Sequence, residues 1–168
     1  MAEAITLIMG IGNIIQKDEG IGVVAVRQLQ QHLGHLEHLH FVDGGTIGFA
    51  LAPLVEQCRQ LIVIDATRFK ATPGTVGVWH NEEIDARFRS QRGSVHELGL
   101  LDMLDMVRLS GQIPEQRVLI GVEPQLIEMG EGLTEPLQAA LPEIMDKTVA
   151  YIDQWHAEDH AGFLKQEA

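Results

Sequence analysis

Leu61-Ile62-Val63-Ile64-Asp65 is the stretch on which the reading of this chain turns. Four consecutive apolar residues without polar alternation predict a strand buried on both faces, as in a parallel sheet covered by helices. The run ends on a carboxylate. Upstream, residues 5–9 (ITLIM) give a second such strand, closed by Gly10. From Gly22 onward, Ala25, Val26, Leu29 and Leu33 recur at helical spacing until Gly34 stops the pattern. Residues 38–42 predict a short strand leading into Asp43, Gly44, Gly45 and Thr46. Residues 47–58 predict partial helix, with Pro53 opening or kinking it.

Downstream of Asp65, the Pro73-Gly74 turn precedes a strand over residues 75–79. Ser94 and Glu97 form a capping-box pattern that opens a helix from about His96 to Leu109, and residues 117–122 predict the last strand. Pro136 and Pro142 mark helix starts or a kink in a helical region over residues 134–154. Strands and helices alternate without repeat or linker. The expected fold is therefore a three-layer α/β domain over residues 1–158, a mainly parallel sheet with helices on both faces. Residues 159–168 have too little apolar content to pack and are expected to form a flexible tail.

Composition narrows the function classes. The 168 residues carry 12 Lys and Arg against 24 Asp and Glu, a formal net charge of -12, so the basic footprint that phosphate backbones require is missing. Nucleic acid is not an expected partner. The single cysteine, Cys58, can form neither an intramolecular disulfide nor a multi-cysteine zinc site, and no run approaches a membrane span or resembles a secretory leader. These features predict a cytoplasmic protein without membrane insertion. Eight histidines are the compositional oddity.

In open α/β sheets, ligands bind outside the carboxyl ends of the strands. The Gly10 loop, the Asp43 loop, Asp65 and the Ser94 loop are therefore expected along one edge. Gly10 and Gly12 invite a dinucleotide reading. Ile15 stands where the third glycine of that fingerprint belongs, and Asp18 and Glu19 would repel a pyrophosphate. The two acids read either as ordinary helix-start residues or as one cleft-facing ligand or base. Glu19, Asp65 and His96 together supply two carboxylates and an imidazole from three loops, a set suited to nickel or zinc with positions left open. The rival cluster is His32, His35, His38 and His40, which read more simply as polar turn residues. Cys58, Trp79 and Trp155 read as packing residues.

The blocks GIGNIIQKDEGIG (10–22), DGGT (43–46), the strand ending at Asp65-Ala66, SVHELG (94–99) and GVEP (121–124) occur in the order of a known family. The chain resembles the endopeptidases that mature nickel-iron hydrogenases, over about residues 5 to 155. That resemblance implies a five-stranded twisted sheet and removal of a C-terminal extension from a hydrogenase large-subunit precursor after nickel insertion. It matches Glu19, Asp65 and His96 to the family's metal-binding and catalytic residues, with nickel supplied by the precursor and zinc or cadmium able to replace it in vitro. It assigns Asp43, Gly44, Gly45 and Thr46 to substrate positioning, with Asn13 and Asp43 supporting the ligands. A monomer would suffice to dock a larger folded precursor. The other class consistent with the same ligands is a nickel-binding or chaperone module that holds the large subunit without cutting it. Pro53 and the histidine run have no counterpart in the family pattern.

Overall fold

β1 (Thr6–Ile11), β2 (Leu39–Gly45), β3 (Gln60–Ala66), β4 (Val76–His80) and β5 (Gln116–Val122) form one sheet in the order β2-β1-β3-β5-β4. The pairs β1·β2, β1·β3 and β3·β5 are parallel, and β4 joins β5 antiparallel. Around the sheet lie α1 (Ile21–Leu33), α2 (Ala52–Gln57), α3 (Glu82–Ser90), α4 (Val95–Leu109) and α5 (Glu135–Gln166). This computed structural model describes residues 5–45, 48–90 and 95–166, without the side chains of residues 95–98 and 160–166.

The uninterrupted apolar strands divide by parity. Leu7, Met9, Leu61, Val63 and Leu119 point to one face and join the core under α2, α3 and α4. Ile8, Ile62, Ile64, Val118 and Ile120 point to the other, against α1 and α5. Alternate side chains leave opposite faces of a strand, so a strand with two covered faces needs an apolar residue at every position. The expected mainly parallel sheet with helices on both faces is the observed architecture.

Several boundaries differ from the sequence expectation for physical reasons. β2 runs through Gly45, so Asp43 and the two glycines end a strand and do not form a loop. Gly10 pairs with Asp43 and Ile11 with Gly45, leaving Gly44 as the extra residue of a bulge. Pro53 lies in the first turn of α2, where a missing N–H costs no helical bond. Sequence reading assigned no element to α3, whose buried apolar residues are only Ile84 and Phe88, one turn apart. α5 is one helix that contains Pro142 and continues to Gln166 through the segment expected to be a tail. Asp159 on it accepts from Gln60 at 3.2 Å and pairs with Arg59 at 2.9 Å. Among the described residues, no helix is long and apolar enough to cross a membrane.

Candidate functional site

β1, β2, β3 and β5 are parallel, so their carboxyl ends share one edge, where Gly12, Gly45, Asp65 and Glu123 all stand. The chain leaves β1 through Gly12, whose amide donates to the Gly45 carbonyl at 2.8 Å. Gly12 has φ +131°, and a β-carbon there would lie 1.8 Å from the Glu19 carbonyl oxygen. Gly22, in the first turn of α1, sits so close that a β-carbon would meet the Ile64 oxygen at 2.1 Å. Gly12, which invited a nucleotide reading, and Gly22 therefore serve a different end. They let the turn bearing Glu19 and the start of α1 rest directly on the ends of β1 and β3.

Glu19 lies in a tight 3-10 turn, Lys17–Gly20, that packs against β3, and Asp65 is the penultimate residue of β3. Both carboxylates are buried, at 8% and 2% exposure. Burial at this level is unusual for acids and marks them off from ordinary helix-start residues. Asp43 is different. Its side chain is exposed, with Oδ1 accepting from the Gly45 amide at 3.1 Å and Oδ2 from Arg27 Nη2 at 2.8 Å. Asn13 Oδ1 accepts from the Ile15 amide at 3.2 Å and so shapes the turn after β1. Gly12, Asn13, Arg27, Asp43 and Gly45 line a cleft of about 340 Å³. Neither Glu19 nor Asp65 lines it, which separates an open subsite from the buried carboxylates beside it.

The helix bearing His96 reaches the same edge by its backbone: a β-carbon on Gly48 would lie 2.5 Å from the carbonyl oxygen of Gly99, one turn after His96. The His96 side chain, Thr46 and Ser94 lie outside the described residues.

Residues 23–151 match the family model described as hydrogenase maturation protease. The chain belongs to the hydrogenase maturation protease family. A HoxM hydrogenase expression/formation protein of Azotobacter vinelandii is 38% identical over 136 residues, 80% of this chain and 66% of that protein. The hydrogenase 2 maturation protease of Escherichia coli is 35% identical over 86% of this chain and 88% of its own length. Among solved structures, the hydrogenase maturating endopeptidase HybD of E. coli superposes with a TM-score of 0.83 at 33% identity, covering 89% of this chain and 93% of that one.

Within this maturation-protease chain, other sequence candidates find structural explanations. His38 stacks near His156, with ring centroids 4.1 Å apart, and His32 Nδ1 contacts the Gln28 carbonyl at 2.7 Å. The histidine run does not converge. Among the described residues, no group of three His, Cys, Asp or Glu is arranged to hold a metal ion. The buried Glu19 and Asp65 carboxylates are hard donors that fit a divalent cation, and the third member of the expected set, His96, has its side chain outside the described residues. Cys58 is buried, its Sγ donates to the Val55 carbonyl at 3.2 Å, and burial pushes its thiol up to about 12. It is no nucleophile at neutral pH. Trp79 packs edge-on against Phe69 at 5.2 Å and beneath the Arg87 guanidinium at 4.2 Å, while Trp155 joins the α1/α5 core.

Two buried acids were missed. Asp18, read with Glu19 either as a helix-start acid or as a cleft-facing ligand or base, is fully buried and accepts four hydrogen bonds from Gln125, Leu126 and Thr134. Glu123, inside the GVEP block, accepts from the amides of Phe69 at 2.6 Å and Ala71 at 3.2 Å. The signal available for Asp18 was its place beside Glu19 in a run of glycines; its partners are more than 100 residues away.

Proposed function

We propose that this protein is the endopeptidase that removes the C-terminal extension of a nickel-loaded hydrogenase large-subunit precursor, acting in the cytoplasm as a monomer. The observation that carries the reading is the burial of two carboxylates, Glu19 in the 3-10 turn that packs on β3 and Asp65 at the end of β3, in a maturation-protease fold. The nickel belongs to the substrate and supplies Lewis acidity at the scissile peptide; zinc or cadmium replaces it in vitro. Glu19 and Asp65, with His96, act as its ligands on the protease side. Their roles are to recognise the loaded centre and hold the tail in register for attack by water.

Asp43, Gly44, Gly45 and Thr46 position the tail, and Asn13 supports the turn that leads to Glu19. Support for this lies in the cleft: it opens beside the terminal residues of β2, and Arg27 and Asp43 give it a charged wall. Gly45, where a β-carbon would meet nothing within 4 Å, leaves the backbone open to close approach by an extended segment.

The test is incubation with nickel-loaded precursor, followed by mass measurement of its C-terminus. The wild type should shorten the precursor, and Glu19→Ala, Asp65→Ala and His96→Ala should each leave it full length while retaining native circular dichroism and cooperative unfolding. A fully active His96→Ala protein would remove that residue from the mechanism. A stable complex with an uncut tail would replace protease by a holding module.

A further inference from the structure

The segment from Glu123 to Thr134 touches both the loop that follows Asp65 and the turn that carries Glu19, and it does so through two other acids. At one end, the Glu123 carboxylate takes the amides of Phe69 and Ala71, in the loop that follows Asp65. The backbone seals the same joint: Thr67 N–H donates to Val122 at 2.9 Å, Gly74 N–H to Glu123 at 2.8 Å, and Glu123 N–H to Thr75 at 3.0 Å. At the other end, Asp18 Oδ2 accepts from Gln125 N–H at 2.9 Å, Leu126 N–H at 2.8 Å and the Thr134 hydroxyl at 2.8 Å, while Oδ1 accepts from Thr134 N–H at 2.8 Å. Asp18 immediately precedes Glu19 in the 3-10 turn. Three backbone bonds reinforce this joint: Lys17 N–H to Gly130 at 3.0 Å, Gly130 N–H to Ile15 at 2.9 Å, and Asp18 N–H to Leu126 at 3.3 Å.

Lys17 adds a second line of observation. It is a non-glycine residue at φ 49°, a conformation that costs energy and persists only where its surroundings over-determine it. Here the surroundings are the bonds just named. The strained turn buries two consecutive carboxylates, Asp18 and Glu19, and the first of them binds the bridging segment. A buried carboxylate is costly unless amides satisfy it, whereas several such bonds at once fix a loop firmly.

We infer that Asp18 and Glu123 are positioning residues which, through the segment between Glu123 and Thr134, fix the Glu19 and Asp65 carboxylates relative to each other for metal and substrate. The inference rests on the reading of Glu19 and Asp65 as the site carboxylates. It gives the GVEP block a role: Gly121 pairs with Asp65 in the sheet, and Glu123 holds the loop beyond it. Asn or Gln at these positions keeps the shape but offers one acceptor oxygen and turns an NH2 group toward amide donors.

The experiment titrates cadmium into the free, full-length protein by calorimetry for wild type, Asp18→Asn, Glu123→Gln and the double variant, beside urea unfolding of each. Ile152→Val, in the α5 core remote from both loops, serves as a control for lost stability. Each single acid variant should remain folded and lose about 10-fold to 100-fold in cadmium affinity, the range typical when a group supporting a ligand is removed. The double variant should lose little more than the weaker-binding single one, because both act through one segment. On loaded precursor the loss should appear in kcat/KM. Unchanged cadmium affinity in folded Asp18→Asn and Glu123→Gln proteins would overturn the inference, as would affinity losses that simply add. A wild type that binds cadmium through Glu19 and Asp65 but leaves the precursor uncut would defeat the protease reading alone. A wild type that binds no cadmium would overturn the inference, while shortening of the loaded precursor would still carry the protease reading.

Discussion

Gly12 and Glu19 meet through their backbones at the end of β1, where a β-carbon on Gly12 would lie 1.8 Å from the Glu19 carbonyl oxygen. The contact seats the turn that carries a buried carboxylate on the sheet edge. It also explains why a glycine stands at a φ of +131°.

Gly12→Ala should therefore lose stability by about 3 kcal/mol or more, the strain of a forced backbone conformation plus displacement of the Glu19 turn. Urea unfolding measures this. A variant within about 0.5 kcal/mol of wild type would mean that the contact is readily relieved.

Arg27 and Asp43 form an exposed pair, with side chains 54% and 40% accessible. Such pairs contribute about 0 to 1 kcal/mol, so Arg27→Ala should leave unfolding nearly unchanged. Because both residues line the cleft, the variant should instead change KM for the precursor several-fold at constant kcat. Identical KM values would place the tail elsewhere.

Cys58 gives the protein an alkaline signature. Its thiol is raised from 9.0 to about 12 by burial, so below pH 9 both folded and unfolded chains hold the proton. Above that, the unfolded chain releases it first, and stability falls as pH rises from about 9 toward 12. Unfolding free energy should decline more steeply over this window in wild type than in Cys58→Ala. Parallel pH profiles would contradict the burial argument. Thiol reagents at neutral pH should label the protein only after unfolding.

Ile62 is fully buried in the central strand, whereas Leu109 at the end of α4 is 90% exposed. Ile62→Ala should cost about 2 to 5 kcal/mol and Leu109→Ala less than about 0.5 kcal/mol. Chemical denaturation of the two variants side by side tests whether the core lies where the strand parity puts it.

Much of the fold was legible because its signals are local. Continuous apolar runs mark β1, β3 and β5, and their parity alone assigns each side chain to a face. α3 was not legible, because two apolar residues one turn apart establish no period; Ile84 and Phe88 become informative only when the sheet covers them. The last turns of α5 were not legible for a related reason. Asp159 is held by Arg59 and Gln60, a polar attachment that hydrophobic patterning does not register.

By itself, the sequence determined the layered α/β architecture, the shared edge of the parallel strands and the candidacy of Glu19, Asp65 and His96, since strand ends and residue chemistry are written locally. The tertiary structure decided that Asp18 and Glu123 accept from backbone amides far away in sequence. Asp18 and Glu19 are neighbours of like charge in a glycine-rich turn, indistinguishable by composition. Their roles separate only because Thr134, 116 residues away from Asp18, brings its amide and hydroxyl to one of them. Hydrogen bonds of that range depend on how the whole chain closes, and no local pattern contains them.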